Sequence, residues 1–246
     1  MTLLACDQRG TGRRFVWLHG FTQTRHSANE YLSILAGNAE ILTPDLPGHG
    51  ASASIWATLT DTADMIDAAL LGPTVALGGY SMGGRVALVT ALAHPDHVER
   101  LVLVSASMGI ADEMERAARR ERDNLLAERI RDIGSNDFLT EWLAQPMFAT
   151  LGDDDRSTRS HDGEGLARSL EHSGVGAQDY VAAVMHRLTM PVLIVCGSRD
   201  EKFMRAAHDM TELVPQADLV VIPDAGHAVH LEQPQLVAGV VSDFLR

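Results

Sequence analysis

Residues Thr74-Val-Ala-Leu-Gly-Gly-Tyr-Ser-Met-Gly-Gly-Arg-Val-Ala-Leu88 decide how this chain is read. Thr74 to Leu77 is a short, mostly apolar run that suits a strand buried on both faces, and Met82 to Ala93 reads as a helix halted before Pro95. Between them Gly79-Tyr80-Ser81-Met82-Gly83 has the G-x-S-x-G spacing of a nucleophile elbow, where small residues permit the sharp strand-to-helix turn that projects a serine hydroxyl. Ser81 is therefore the candidate catalytic residue from which the rest of the chain is read.

A serine hydroxyl is a weak nucleophile or base until a histidine accepts its proton, and the histidine needs a carboxylate to fix its tautomer. Both follow in the expected order. Asp200 ends Val192-Leu-Ile-Val-Cys-Gly-Ser-Arg-Asp200, and His227 ends Leu219-Val-Val-Ile-Pro-Asp-Ala-Gly-His227, each a strand pattern followed by a loop. Strand-to-loop placement puts both at carboxyl ends of strands, beside the elbow. His230, three residues on, is the second choice for the histidine, and Asp224 is expected to pair within its own loop. Toward the N-terminus, His19-Gly20-Phe21 follows the strand pattern Phe15 to Leu18. The backbone amides of Phe21 and Met82 are the expected oxyanion donors, which stabilise negative charge on a carbonyl or enolate oxygen. His19 is expected to be a structural hydrogen-bonder, and Asp45-Leu-Pro-Gly-His-Gly50 a tight turn with glycines at positive φ and no catalytic role.

Further outward, strand-length runs recur at Glu40 to Thr43, Leu101 to Val104, Val192 to Val195 and Leu219 to Ile222. Helical patterns alternate with them: Asp61 to Leu71, with Asp61 as N-cap, a stripe at Ala63, Ile66 and Leu70, and Gly72-Pro73 as the stop; and Gln233 to Leu245. Strands alternating with helices predict an α/β fold, a mostly parallel, doubly wound sheet. The alternation breaks from about Met108 to Arg187, where helical stretches such as Asp112 to Arg131 and Asp137 to Trp142 occur without strands. The expected organisation is a core of residues 1–107 and 188–246 with a helical cap inserted at 108–187. The loop Gly152-Asp153-Asp154-Asp155 reads as a solvated acidic turn, since adjacent carboxylates lack the alternating ligand spacing of a calcium loop.

The chain's 246 residues correspond to about 1.6 domains of ordinary size, which one large domain with an insertion satisfies. Its 20 Lys and Arg against 33 Asp and Glu give a net charge of −13, which repels nucleic acid and anionic lipid. Neither is expected as a partner. Cys6 and Cys196 sit in short apolar runs without metal spacing and are expected to be buried, reduced thiols, in keeping with a cytoplasmic protein. No metal site and no cofactor are expected, because the chain has no HExxH, phosphate loop or GxGxxG.

The strings LHGF, DLPGHG, GYSMGGR and AGH resemble the α/β-hydrolase family. GGRVAL after the elbow, ERAARRERD (Glu115 to Asp123), WLAQPMF (Trp142 to Phe148) and CGSRDEKF (Cys196 to Phe203) resemble, more narrowly, the 2-succinyl-6-hydroxy-2,4-cyclohexadiene-1-carboxylate synthases of menaquinone biosynthesis. The resemblance implies the α/β-hydrolase fold and a carbon–oxygen lyase. Such an enzyme deprotonates 2-succinyl-5-enolpyruvyl-6-hydroxy-3-cyclohexene-1-carboxylate, and the enolpyruvyl group leaves as pyruvate. Ser81, activated by His227 and Asp200, would be the general base, and the oxyanion hole would hold the enolate.

That substrate is a small tricarboxylate, and arginine is the natural partner for carboxylates. Arg85 falls in the first turn after Ser81, where a positive charge opposes the helix dipole, so a purely structural role is disfavoured. The resemblance implies substrate contacts for Arg119, for Arg159 (with Arg156 or Arg168 as alternatives), and for Tyr80 and Trp142. Arg119 also has a structural alternative, an i,i+4 pair with Glu115. Lys202 is expected to stabilise the acid loop. The competing readings are a serine esterase or carbon–carbon bond hydrolase using the same triad, and a non-catalytic small-ligand receptor. An Asp nucleophile, as in dehalogenases and epoxide hydrolases, is excluded by Ser81.

Overall fold

The computed structural model describes residues 4–69, 75–152 and 156–246. In chain order its strands and helices are β1 (Cys6–Arg9), β2 (Arg13–Leu18), α1 (Asn29–Leu35), β3 (Ala39–Pro44), α2 (Leu59–Ala69), β4 (Val75–Tyr80), α3 (Met82–Ala93), β5 (Val98–Val104), α4 (Glu113–Leu143), α5 (Gly163–Ser173), β6 (Val192–Gly197), α6 (Glu201–Leu213), β7 (Ala217–Ile222), α7 (Val229–Glu232) and α8 (Pro234–Phe244). The strands form one sheet in the order β1-β3-β2-β4-β5-β6-β7, parallel except for β1, which runs antiparallel to β3.

Period-2 alternation assigns each strand residue to one of two layers. Val16, Leu18, Leu101, Leu103, Val192 and Ile194 face one side, where they pack with Val86 and Leu88 of α3 and Met210 of α6. Phe15, Trp17, Val102, Val104, Leu193 and Val195 face the other, against Tyr31 and Leu32 of α1 and Val237 and Val241 of α8. Burial of both faces is why the inner strands read as continuous apolar runs. β7 departs from that expectation: as the terminal strand it leaves Val221 37% exposed.

Strand β1, which lacks an apolar run, went unread in the sequence because one side of it faces solvent. Cys6 is correspondingly exposed, correcting the expectation that both thiols are buried; Cys196 is buried in β6. Asp61 is not the N-cap of α2. Thr58 is: its Oγ1 accepts from the Asp61 amide at 3.1 Å while Asp61 Oδ2 accepts from the Thr58 amide at 3.1 Å, a reciprocal capping box that moves the start forward. Leu70, Gly72-Pro73, Thr74 and the carboxylates Asp153 to Asp155 lie outside the described residues.

Between β5 and β6 the described residues contain no strand. The two helical stretches expected there form one element, α4, capped by Asp112, which accepts from the Glu115 amide, and bent at Gly134 (φ 78°, ψ 164°). The bend folds Phe138 back beside Ile130 and Ala127, and these close a small core with Leu166, Ala167 and Leu170 of α5. No described helix is long and apolar enough to cross a membrane.

Candidate active site

The turn from β4 into α3 puts Ser81 at φ 51° and ψ −107°, outside the regions an L-residue ordinarily occupies. Surrounding backbone enforces the turn. A Cβ on Gly79 would lie 2.3 Å from the Gly83 carbonyl oxygen, and one on Gly83 would lie 2.1 Å from that of Leu18. Only glycine lets α3 approach the ends of β4 and β2 this closely.

Three strand ends then meet. Ser81 Oγ–H donates to His227 Nε2 at 3.0 Å, and His227 Nδ1–H donates to Asp200 Oδ2 at 2.7 Å. Asp200 is held in turn as the N-cap of α6, its Oδ1 accepting from the Phe203 amide at 3.4 Å. His227 is 1% exposed, enclosed by the rings of Phe203 (4.4 Å between centroids), Tyr80 (5.2 Å) and Phe148 (6.1 Å). Phe148 and Phe203 were not singled out from the sequence, although both lie within strings that carried the resemblance. Burial beside Asp200 pushes the Cys196 thiol up to about 11, so it stays protonated and inert.

The amides of Phe21 and Met82 are free of hydrogen bonds to other described residues, Met82 because it opens α3 and has no intrahelical partner. The Gly20 amide, by contrast, is taken by Gln23 Oε1 at 2.8 Å. His19 bonds the Leu46 amide through Nε2 at 3.0 Å and the Gly20 carbonyl through Nδ1 at 2.9 Å, the structural role expected of it. Gly48 and Gly50 carry positive φ, and the buried Asp45 carboxylate accepts from the Arg25 and Ala51 amides and pairs with the Arg25 guanidinium. Asp224 pairs with Arg199 of the neighbouring loop at 2.8 Å. His230 stands apart from the serine: it packs against Tyr80, Trp17 and Tyr31, and burial drives its pKa down to about 3, leaving a neutral ring.

The other candidate residues lie around the helical insertion. Trp142 meets the Phe21 ring edge-on at 5.1 Å, so the end of α4 roofs the loop that carries the candidate oxyanion amide of Phe21. Arg85 is 5% exposed and spans from α3 to the insertion, donating from Nη2 to the Ser173 carbonyl at 2.8 Å and from Nη1 to Gln178 Oε1 at 3.2 Å. Burial, and secondarily the nearby Arg119, lower its pKa to about 10, so it remains protonated at neutral pH. Arg119 pairs with Asp123 at 2.8 Å, one turn later, and not with Glu115. The i+4 carboxylate wins because Asp123 is buried and also accepts from the Gly176 amide at 3.1 Å, which fixes it in place. Asp123 was legible as a partner from its spacing alone, but spacing does not rank two carboxylates.

Among the three arginines proposed near the acidic loop, only Arg159 is buried. Its Nη1 donates to Thr22 Oγ1 at 2.7 Å, and its backbone bridges Gln23, beside the Phe21 loop. Arg156 is exposed and bonds Thr140, whereas Arg168 pairs with Glu164 and covers the Trp56 ring. Lys202 lies over the Phe203 ring with Nζ 5.4 Å from its centroid, and burial and then Arg119 lower its pKa. Among the described residues no group of three or more His, Cys, Asp or Glu side chains is placed to hold a metal ion.

The sequence model of the alpha/beta hydrolase family matches residues 15–240. The 2-succinyl-6-hydroxy-2,4-cyclohexadiene-1-carboxylate synthase of Escherichia coli O1:K1 / APEC is 33% identical over 94% of this chain and 93% of its own length. Among solved structures, MenH from S. aureus superposes with a TM-score of 0.91 at 29% identity, covering 100% of this chain and 98% of that one. A thermophilic esterase from Thermogutta terrifontis, solved with malate bound, reaches 0.83 at 27% identity over 99% of this chain and 93% of that one. A strained serine at a strand-to-helix turn, relayed through a buried histidine to a carboxylate on the next strand ends, accords with that kinship: the chain belongs to the alpha/beta hydrolase family.

Proposed function

We propose that the chain is a 2-succinyl-6-hydroxy-2,4-cyclohexadiene-1-carboxylate synthase, a carbon–oxygen lyase of menaquinone biosynthesis, with Ser81, His227 and Asp200 as its catalytic residues. The names of the relatives support this reading. Ser81 passes its proton to His227 Nε2, and its oxygen removes the proton from the ring carbon next to the succinyl ketone. The electron pair moves onto the ketone oxygen, where the Phe21 and Met82 amides stabilise the enolate. Collapse of the enolate regenerates the ketone and forms a double bond from the deprotonated ring carbon to its ring neighbour. The existing ring double bond shifts by one position toward the carbon that bears the enolpyruvyl group, and the bond from that carbon to the enolpyruvyl oxygen breaks. The imidazolium, held by Asp200, then returns its proton to the departing group, which leaves as pyruvate.

The observation that carries the reading is Arg85. It is 5% exposed, and no described carboxylate lies within ion-pair distance of it. Its two described acceptors are neutral, so three of its five N–H donors remain for an anion. A cation this deeply buried is costly without a counter-charge, and a carboxylate of the substrate supplies one. Arg119 and Arg159 would take the other carboxylates, with Tyr80 and Trp142 as apolar walls. In this reading residues 108–187 form a cap that delivers the cationic side of the site, the partner is the tricarboxylate and neither nucleic acid nor membrane, and the exposed Cys6 suits the reducing cytoplasm.

A serine esterase is the second reading, favoured by the esterase likeness and by the geometry that relay and oxyanion hole share with it. Pyruvate release from freshly generated 2-succinyl-5-enolpyruvyl-6-hydroxy-3-cyclohexene-1-carboxylate, followed by coupled lactate dehydrogenase, separates the two. Release well above the spontaneous rate, lost in Ser81→Ala, is expected. Release at the background rate, with turnover of simple esters, would replace the lyase by the esterase.

A further inference from the structure

His227 reaches Asp200 and Ser81 from a loop, and a loop positions a ring only as well as its own backbone is fixed. The backbone here is fixed by a side chain outside the relay. Glu232, the last residue of α7, accepts from the Gly226 amide through Oε2 at 2.7 Å and from the Ala228 amide through Oε1 at 3.1 Å. These are the peptide N–H groups on either side of His227. Glu232 is itself anchored, its amide donating to the Ala228 carbonyl at 3.0 Å. On the other side of the loop the Arg199 amide donates to the Ala225 carbonyl at 2.9 Å, and a Cβ on Gly226 would lie 2.2 Å from Thr150 Oγ1.

We propose that Glu232 is a positioning residue for His227, a carboxylate clamp that sets the imidazole against Asp200 Oδ2 and Ser81 Oγ. The inference rests on the proposed function, in which His227 accepts the Ser81 proton and so activates Ser81 as the base. A carboxylate suits the task because it offers two strong acceptors to two N–H groups, each bond strengthened by its charge. Glutamine presents one acceptor and one amide donor, so it satisfies one N–H and opposes the other. Given that a displacement of 1 Å in a reacting group costs about 100-fold, a loosened loop lowers turnover without touching substrate.

The test compares Glu232→Gln and Glu232→Ala with wild type in the pyruvate assay. It also follows, on the resting protein, the downfield proton resonance of the His227–Asp200 hydrogen bond. The expected result is a fall in kcat of about 10-fold for Gln and about 100-fold for Ala, with KM within about 2-fold of wild type. The resonance should shift in Gln and broaden or disappear in Ala. Gln235→Ala, which removes only an exposed contact with Glu30, should leave both readouts unchanged. Glu232→Gln that folds with wild-type kcat and an unshifted resonance would overturn the proposal, as would a loss carried by KM alone. The resonance needs no substrate, so a wild-type protein that releases no pyruvate sinks the lyase reading while Glu232 is still judged.

Discussion

The Ser81–His227–Asp200 relay and the three candidate carboxylate-binding arginines, Arg85 on α3 and Arg119 and Arg159 in the insertion, are built by opposite rules. Ser81, His227 and Asp200 come from the ends of β4, β7 and β6, and each is pinned by rigid framework: a strained turn, a clamped loop and a helix N-cap. Their mutual hydrogen bonds, 3.0 and 2.7 Å, already have the geometry that proton transfer requires. Arg85, Arg119 and Arg159 instead each hold a protein partner at close range, in Ser173, Asp123 and Thr22. Under the proposed function, the contrast means that the base is pre-assembled before substrate arrives, whereas the arginines would have to exchange or extend their contacts to take substrate carboxylates. Chemistry and recognition are thus separable, and substitutions in the two regions should fail in different ways.

The largest expected effect is in the relay. Asp200→Asn should lower kcat by roughly 10⁴-fold while KM stays near wild type, because the amide favours the wrong imidazole tautomer and leaves the arginines proposed to bind substrate untouched. A variant that keeps more than a tenth of wild-type kcat would show that the relay is not the base. Next comes Arg85→Ala, for which kcat/KM should fall on the order of 100-fold through the loss of a buried charge-assisted contact. If the fall appears only as a lower Tm, with unchanged kinetics in the folded fraction, Arg85 is a staple between α3 and the insertion and nothing more. Asp123→Asn sharpens the same contrast. Freeing Arg119 from its ion pair should change KM by less than about 10-fold and leave kcat unaltered if, as proposed, Asp123 competes with substrate for one guanidinium.

The relay was legible in the sequence because every requirement on it is local. An elbow needs small residues within five positions, a buried strand needs an apolar run, and the two strand-to-loop junctions announce Asp200 and His227 without knowledge of anything distant. The interior strands and α3 were legible for the same reason. Sequence reasoning stopped where a choice depends on through-space partners. The antiparallel strand β1, exposed on one side, carries no apolar run, and Thr58 competed with Asp61 for the same cap. Arg119 had a carboxylate on each side at helical spacing, and only the Gly176 amide, 53 residues from Asp123, decides between them. Glu232 carries no motif of its own; its meaning appears only once Gly226 and Ala228 turn their amides toward it.

A smaller effect concerns pH. The rings of His49 and His230, both wholly buried, have pKa values near 3, burial being the main cause in each. Unfolded histidine titrates near 6.5, so below that pH the unfolded chain binds protons that these two sites in the native protein refuse. Their contribution to stability is therefore complete above about pH 6.5 and declines as pH falls toward 3. At pH 5 each site should have given up on the order of 2 kcal/mol. A Tm that falls between pH 6.5 and 5, with a shallower slope in His230→Phe, would bear this out; a Tm flat across that window would mean the rings are protonated in the folded state.

The smallest effect returns to the insertion and asks whether its bend is needed for recognition. Gly134 sits at φ 78° and ψ 164°, a region open in practice only to glycine, and a Cβ there meets nothing within 4 Å. Gly134→Ala therefore introduces backbone strain without a clash, at a cost of about 1–3 kcal/mol. The cheapest relief is to straighten α4, which would draw Phe138 away from Ile130 and shift Trp142 off the Phe21 ring. If the bend places the roof of the site, Gly134→Ala should lower Tm by several degrees and raise KM by a few-fold at constant kcat. A lowered Tm with unchanged KM would mean instead that Phe138 and Trp142 hold their positions through packing alone, so that the bend belongs to the stability of the insertion and the relay and the roof are independent even at this contact.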